Sequence, residues 1–342
     1  MGKLPKRFIR SLRSVGRALI LFLPIAAFLV ATAGARAQTA ELRLASTVWP
    51  PFTNEAGKAR FALDLVQTAL GRAGIVSNTT MVEQGRLTSV LLNGEFDGSP
   101  ALWKDEDRER ALVYSQPFLE NRLILVGRKG SDVAAKTLVE LAGKRLALVE
   151  GYAYGDKVAN GPLIVPSASE EDSLQKLLNH TADYTLMDEL VVEYILENHA
   201  TEAHAQLDFG STPLIVRTLH LAINRSLPGA QRMIDLFNAE VLGMIEDRSY
   251  HRLLRLNWIS ADVDGDGVEE YVPRDDHAGP SPPEHSYKLF AGQTPSGPVT
   301  SPHFYLGGKV YPNWVSVPES YKYPRPPGTS IGTEISIFTF RW

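Results

Sequence analysis

The chain has 342 residues, of which 44% are hydrophobic and 22% charged, a composition typical of a globular protein of about two domains. It contains no Cys, which excludes a disulfide scaffold, a Cys-ligated zinc or iron–sulfur site and a thiol nucleophile. Residues 1–37 hold seven of the 35 Lys and Arg and no acid, so the remainder carries 28 bases against 39 acids. That net charge of −11 disfavours a nucleic-acid partner, because a phosphate backbone is itself negative.

Residues 1–37 have the pattern of a secretory signal peptide. Six Lys and Arg residues precede the apolar run Ala18–Ala33, and Ala35-Arg36-Ala37 then provides a small-residue cleavage site. The run has 16 residues, whereas a span of the bilayer core needs about 20. We therefore expect cleavage after Ala37 and no stable membrane insertion of the mature chain. An uncleaved anchor and a mitochondrial transit peptide are the alternatives.

The next 220 or so residues alternate between strand and helix patterns. Leu42–Val48 predicts a strand, and the double proline of Trp49–Phe52 prevents a helix from following it directly. The apolar stripe of Phe61–Ala73 predicts the first helix. Further strands are predicted at Ile75–Val82, Phe96–Ala101, Leu112–Tyr114, Arg122–Val126, Lys144–Val149, Leu163–Pro166, Ala182–Met187, Leu207–Gly210, Leu214–Val216 and Leu219–Asn224. Further helices are predicted at Leu87–Leu92, Glu170–Leu178, Asp188–Asn198, Pro228–Ile245 and Ser249–Trp258. This alternation favours an α/β fold with mainly parallel sheets.

Residues 259–342 differ in character from the rest of the chain. They contain Pro-rich segments such as Pro324–Pro327 and show no helical periodicity, so we predict an irregular C-terminal extension. Within it, Glu334–Trp342 alternates like a strand that could join an available sheet edge.

The acidic loop Asp262–Glu270 has the D-x-D-x-D-G spacing of a calcium-binding loop, similar to those of EF-hand and dockerin repeats. Carboxylates at alternate positions converge on one hard cation, and Gly267 permits the sharp turn. The predicted Ca²⁺ ligands are Asp262, Asp264, Asp266, Val268 and Glu270. Because the twelfth position is Pro273 instead of Glu, we expect weak binding, with Asp275 or Asp276 as substitutes. A solvated acidic linker is the alternative, and no other cofactor is expected.

Four elements of residues 42–258 occur together in the order of one known family. They are the loop Trp49–Phe52 with the helix around Asp64, the stretch Leu91–Gly98, Arg108 seven residues before Ser115 in Tyr114–Phe118, and Leu186–Glu189 at a strand-to-helix junction. In these residues the chain resembles the bacterial solute-binding proteins of family 3, which are periplasmic binding proteins for polar amino acids. Each element is weak alone, and their order after a signal peptide makes the resemblance specific for the fold.

The resemblance implies a two-lobed periplasmic-binding-protein-like α/β fold, in which two hinge strands let the lobes close on a ligand like a Venus flytrap. Lobe one is then expected at residues 42–126 plus 218–258, and lobe two at 127–217. The hinge crossings fall near Val126-Gly127 and Arg217-Thr218. Residues 259–342 follow as the extension.

The resemblance also implies two charged ligand contacts. Arg108 occupies the position that clamps a ligand carboxylate, for which a guanidinium is suited because it binds bidentately. The alternatives are a solvated charge run and the use of Arg110 in its place. Asp188 matches the acid that pairs with a ligand ammonium, and a helix N-cap is the alternative role.

Aromatic and glycine positions complete the implied ligand site. Trp49 and Phe52 are candidates for an apolar wall, with core packing as the alternative. Trp103 is placed to close the cleft or to stack on the ligand. Gly151 and Tyr152 follow a lobe-two strand, where free N–H groups can bind an anion.

The site departs from the family pattern where Ala101, Trp103 and Ala153 replace hydroxyl-bearing residues. Fewer hydrogen bonds to a zwitterion are then available, so the sequence specifies the fold more firmly than an amino-acid ligand.

The function implied is a periplasmic substrate-binding protein, a monomer and not an enzyme, that delivers a small polar solute to an ABC permease. One alternative is an accessory or sensing protein that uses residues 259–342 to dock on an exported partner. The other is a dehydratase-type enzyme with Glu150 or Asp188 as general acid.

Overall fold

The computed structural model describes residues 41–155, 161–275, 277–283, 286–288 and 303–323. The predicted signal peptide at 1–37, Asp276 and the predicted strand Glu334–Trp342 lie outside the described residues. Within the described ranges, every helix is too short or too polar to cross a bilayer.

The described residues between 42 and 224 form a nine-stranded mixed sheet. Its strands are β1 Leu42–Ser46, β2 Ser77–Met81, β3 Gly98–Trp103, β4 Leu112–Tyr114, β5 Leu119–Arg128, β6 Arg145–Val149, β7 Leu163–Ser167, β8 Tyr184–Asp188 and β9 Leu207–Asn224. The order is β2-β1-β3-β9-β5-β8-β6-β7, and β4 pairs with β9 outside this path. The pairs β1–β2, β1–β3, β6–β7 and β6–β8 are parallel, as the alternation of strands and helices predicted. The pairs β3–β9, β4–β9, β5–β8 and β5–β9 are antiparallel, so the prediction of a mainly parallel sheet was wrong.

Helices cover the faces of this sheet. They are α1 Phe61–Arg72, α2 Gln84–Leu92, α3 Glu106–Glu109, α4 Glu170–Leu178, α5 Glu189–Gln206, α6 Ala230–Glu246 and α7 Ser249–Leu254. The short α3 escaped prediction because its residues are all charged, and the Asp105 side chain caps it by accepting from two backbone N–H groups. The predicted helix Ser249–Trp258 is too long, because Arg255 adopts a left-handed conformation that ends α7.

The long antiparallel strands β5 and β9 join the two halves of the sheet. They pair from Leu119 opposite Leu219 to Arg128 opposite Leu207. From Leu123 onwards β5 also pairs with β8, whereas β9 pairs with β3 and β4 only from Leu219 onwards. The chain therefore passes from a lobe built on β1–β4 to a lobe built on β6–β8 along β5 and returns along β9. We call these parts lobe one and lobe two, and β5 and β9 the hinge strands.

The extension is more regular than its proline content predicted. Its strands are β10 Trp258–Ala261, β11 Glu270–Pro273, β12 Tyr287–Lys288, β13 His303–Leu306 and β14 Lys309–Tyr311, followed by helix α8 Glu319–Lys322. In the part described, they form a second sheet in the order β12-β10-β11-β13-β14. Trp258, Phe304 and Trp314 pack edge to face at its centre, with ring centroids 5.0–6.3 Å apart. Strands this short leave little periodicity in the sequence, although buried aromatic side chains hold them together.

The extension contacts the hinge at β12. The Lys288 backbone N–H donates to Glu120 Oε2 of β5 at 3.2 Å. The Tyr287 hydroxyl donates to Glu189 Oε2 at 3.3 Å, and the same oxygen accepts from Arg122 Nε at 2.9 Å. The second sheet is thus attached to a strand about which the lobes would move.

A substitution in α6 tests the core of lobe one. Phe237 is fully buried, and its ring lies 6.0 Å from that of Phe118. Phe237→Ala should lower the free energy of unfolding by about 3–5 kcal/mol, because it removes buried apolar surface and leaves a cavity. Leu242→Ala in the same helix is the control, since Leu242 is 48% exposed and should cost about 0.5 kcal/mol or less. Urea unfolding measures both, and equal effects would contradict this packing.

Candidate functional site

Two adjoining cavities lie in the cleft between the lobes. The larger has a volume of about 310 Å³ and receives walls from both lobes. It is lined by Val48, Trp49, Pro50, Gln84, Val149, Tyr152, Ala168, Ser169, Glu170, Glu171, Leu174, Met187, Val191, Tyr194 and Ile195. Its size is at the lower end of the range for small-molecule sites, about 300–1,000 Å³. We call it the ligand cavity.

The smaller cavity has a volume of about 40 Å³, enough for roughly three water molecules. Five residues singled out by the resemblance line it together, namely Trp49, Trp103, Arg108, Gly151 and Tyr152. Thus the structure brings most of the implied site to one place but leaves little room there. We call it the Arg108 cavity.

Aromatic side chains occupy the space at the Arg108 cavity. The Trp103 ring lies 5.6 Å from Trp49, 5.3 Å from Tyr152 and 5.7 Å from Tyr154, all in edge-to-face contact. Trp49 also contacts Tyr152 at 5.5 Å. Trp103 stands where a hydroxyl-bearing residue was expected, so its ring fills part of the volume that a ligand would need.

Phe52 does not reach either cavity. It is fully buried, and its ring packs 4.5 Å from Trp49 and 5.3 Å from Phe61. Its described role is core packing behind Trp49, which was the alternative to a ligand-contacting role.

Arg108 is buried and only partly satisfied. Its side chain is 5% exposed, and Nη2 donates to the Trp103 carbonyl at 3.2 Å. Nε lies 4.0 Å from Asp105 Oδ1 and has no hydrogen-bond acceptor among the described residues. Arg110, the alternative position, has an 84% exposed side chain and points to solvent, so it does not replace Arg108.

Asp188 lines neither cavity. It is fully buried and caps α5, accepting from the Leu190 N–H at 2.8 Å. It also accepts from Asn121 Nδ2 at 3.0 Å and from the Arg122 N–H at 2.9 Å. Burial raises the pKa of Asp188 to about 7. The helix-cap role is therefore confirmed, and the structure does not bring Asp188 to the space where a ligand ammonium could lie.

A chain of hydrogen bonds connects Trp103 of lobe one, through Asn121 of the hinge, to Asp188 of lobe two. Trp103 Nε1 of lobe one donates to Asn121 Oδ1 on hinge strand β5 at 2.7 Å. The other end of the same amide donates to Asp188 of lobe two. Buried polar groups satisfied in this way fix the geometry of the hinge.

Glu170 is the functional candidate that the sequence analysis missed. It is the first residue of α4, after the N-cap Ser169, and its Oε1 accepts from Trp49 Nε1 across the cleft at 2.7 Å. Burial raises the pKa of Glu170 to about 8, against the opposing effect of the Trp49 hydrogen bond. In the sequence it looks like any acid in a helix first turn, and only the folded cleft distinguishes it.

A third cavity, of about 640 Å³, lies between α5, α7 and the loop before α1. It is lined by charged side chains of both signs, including the half-buried Arg60 and Asp64 and the exposed Glu193 and Arg252. None of the ligand-site residues implied by the resemblance lines it, although Pro51 and Asp64 of the family-like elements do. Its walls are largely charged and open to solvent. The ligand cavity is therefore the better candidate for the site, although its volume is smaller.

The acidic loop brings part of the predicted calcium site together. Carboxylate oxygens of Asp262, Asp264 and Glu270 lie within 4.8 Å of one another. Glu270 is fully buried, and its Oε1 has no hydrogen-bond donor among the described residues. Burial raises the pKa of Glu270, and the neighbouring loop acids raise it further. These three residues could hold a hard cation. Calcium binding by the loop stays a prediction.

Asp266 and Asp275 lie outside this cluster and accept hydrogen bonds from backbone N–H groups. Asp266 Oδ1 accepts from the Val268 N–H at 2.7 Å, and Asp266 is outside the three-residue cluster. Asp275 accepts from the His277 N–H at 2.8 Å and is exposed.

Comparisons with known proteins support the fold. Models of protein families give no match to this chain, and no curated protein matches it. Among solved structures, the GluR0 ligand-binding core from Nostoc punctiforme in complex with (L)-glutamate is 20% identical, with a TM-score of 0.52 over 62% of this chain and 96% of that chain. An arginine transport periplasmic binding protein from Legionella pneumophila is 21% identical, with a TM-score of 0.53 over 63% and 98%. A mutant of ArgBP from T. maritima is 21% identical, with a TM-score of 0.53 over 63% of this chain and 93% of that chain.

These similarities establish that the chain has the two-lobed α/β fold of periplasmic binding proteins. Each match spans nearly all of the neighbour and leaves more than a third of this chain without a counterpart in it. At such low identity the likeness concerns the fold, and the ligand must be inferred from the site itself.

The raised pKa of Glu170 predicts a pH dependence of stability. Its folded pKa of about 8 lies above the ordinary value of 4.5, so the folded chain holds a proton that the unfolded chain releases. The free energy of unfolding should therefore fall as pH rises from about 4.5 to about 8. Glu170→Gln removes this contribution and should gain stability relative to the native chain over that range.

Thermal or urea unfolding at pH 5, 7 and 9 measures the effect. Glu246→Gln, at an exposed position at the end of α6, is the matched control and should follow the native chain. A constant difference between Glu170→Gln and the native chain at all three values would show that Glu170 is not buried in this way.

Calcium binding to the acidic loop is tested with the metal itself. Ca²⁺ titration by calorimetry should give a dissociation constant of about 10⁻⁴–10⁻³ M, the range of extracellular modules. Asp262→Asn should abolish the binding, because it removes a carboxylate of the cluster. Asp235→Asn, at an exposed position of α6, makes the same charge change away from the loop and should have no effect. Equal loss in both variants would leave only a diffuse attraction of Ca²⁺ to acidic surface.

Proposed function

We propose that this protein is a solute-binding protein that closes its lobes on a small organic ligand. The observation that supports this best is the ligand cavity, because both lobes form its walls and the Trp49–Glu170 hydrogen bond crosses it. A ligand in that cavity would contact both lobes at once. It would therefore stabilise the closed arrangement by its differential affinity for that arrangement over the open one.

A transport role follows from the same proposal. The predicted signal peptide would export the chain to the periplasm, where the closed form would deliver the ligand to an ABC permease. The named binding proteins with this fold support a binding role over catalysis. In the dehydratase alternative, Glu150 would be a general acid, but Glu150 is exposed and lines none of the cavities.

A second candidate role is that of an accessory or sensing protein. The observation in its favour is the contact of β12 with hinge strand β5 through Lys288 and Glu120. A partner that bound the extension could then alter lobe closure. Ligand binding in the cleft is common to both roles, so it is the property to test first.

The test uses the chain from Gln38 onwards, freed of copurified compounds by reversible unfolding. Native mass spectrometry before this step identifies any compound that the purified protein carries. Calorimetry with amino acids, organic acids and amines then measures binding, and small-angle scattering measures closure as a smaller radius of gyration. At least one compound should bind and close the lobes. A folded sample that binds none of them would contradict the proposal.

Trp49→Phe tests the cross-cleft hydrogen bond. It keeps an aromatic ring but removes the indole N–H that Glu170 accepts, and should weaken binding of that compound about tenfold. Trp314→Phe in the extension is the matched control and should bind like the native chain. Unchanged affinity in Trp49→Phe would place the ligand outside the cleft.

A further inference from the structure

We propose that the ligand is an organic cation with an apolar body, such as a protonated or quaternary amine, and that Glu170 is its counter-ion. This inference rests on the proposed function and assigns a ligand class to the same cavity. The ligand class differs from the zwitterionic amino acids that the resemblance implies. Three features of the ligand cavity carry it, namely its charge, its aromatic walls and its separation from Arg108.

The charged residues of the ligand cavity are of one sign. Glu170 and Glu171 line it, and none of its described lining residues is Lys or Arg. Within the described chain, the hydrogen bond that Glu170 accepts comes from the neutral indole of Trp49. Glu170 is half-buried in this cavity. A partly buried carboxylate without a cationic partner is unfavourable, and a cation in the cavity would supply the missing charge.

Aromatic and aliphatic side chains surround this carboxylate. The rings of Trp49, Tyr152 and Tyr194 line the same cavity. Aromatic faces attract ammonium groups, most strongly where water is excluded. Five further lining residues are apolar, namely Val149, Leu174, Met187, Val191 and Ile195. The cavity therefore combines acidic groups that favour a positive charge with apolar side chains that favour hydrocarbon.

Arg108 is separated from this cavity. It lines the Arg108 cavity and is not among the residues that line the ligand cavity, although Trp49, Gln84 and Tyr152 line both. The Nη2 of Arg108 is bonded to the Trp103 carbonyl. A zwitterion in the ligand cavity would hold its carboxylate beside Glu170 and Glu171 with no described base to pair it. An amine without a carboxylate avoids this repulsion.

Matched pairs of compounds test the assignment by calorimetry on the mature chain. Phenethylamine and tyramine are compared with L-phenylalanine and L-tyrosine, which differ from them by the carboxylate. Benzyltrimethylammonium tests a quaternary cation, and 3-phenylpropionate tests an anion of similar shape. We expect the amines to bind at least tenfold more tightly than the matched amino acids, and 3-phenylpropionate not to bind.

Glu170→Gln tests the counter-ion directly. Its side-chain carbonyl can still accept from Trp49, so it removes the charge and keeps the hydrogen bond. Amine affinity should fall at least tenfold, whereas Glu246→Gln, with the same change in net charge at an exposed site, should bind like the native chain. If Glu170→Gln does not fold, the comparison of amines with amino acids on the native chain decides alone.

The outcomes separate the two proposals. Amino acids or 3-phenylpropionate that bind as tightly as the amines would overturn the cation assignment and leave the solute-binding function standing. Unchanged amine binding in a folded Glu170→Gln would also overturn it. A native chain that binds no compound of the panel, amines included, would overturn both.

Discussion

The structure of the cleft depends on one hydrogen bond, from the Trp49 indole of lobe one to the Glu170 carboxyl of lobe two. A carboxyl in an aromatic environment is expensive to ionise, and the bond to a neutral donor compensates only part of this cost. The cleft is thus crossed by a carboxyl that has no cationic partner among the described residues and that holds a proton at neutral pH. A binding site is most selective where the empty protein leaves a polar group in this condition, because only a complementary ligand relieves it.

Asp188, the buried acid beside the hinge, differs from Glu170 because protein donors satisfy its carboxylate. Asp188 is as deeply buried as any residue in the molecule, yet it accepts three hydrogen bonds, including one from Asn121 on the hinge strand β5. Because its needs are met by the protein, it defines geometry and has little left to offer a ligand. The structure assigns Asp188 the helix cap, and the ligand contact that the resemblance implied for it is the one that we propose for Glu170.

The sequence predicted the strands and helices of both lobes well, because apolar periodicity and turn residues are local signals. Leu112–Tyr114 and Glu170–Leu178 agree with the structure to the residue. The family resemblance also singled out Trp49, Trp103, Arg108, Gly151 and Tyr152, which line one cavity in the structure. It could not find Glu170, whose partner lies 121 residues away, nor the sheet of the extension, whose short strands pair with distant ones. Contacts of this kind depend on the folded topology and leave no local pattern.

The attachment of the second sheet to strand β5 has a consequence for how such a protein can evolve. Tyr287 and Lys288 touch Glu189 and Glu120, which lie on or beside the hinge and outside the ligand cavity. The apparent affinity of a two-state receptor scales with the fraction of molecules already in the competent state. If the protein binds a solute as proposed, substitutions in the second sheet would change the concentration range over which it responds and leave its ligand selectivity, which the cavity determines, unchanged.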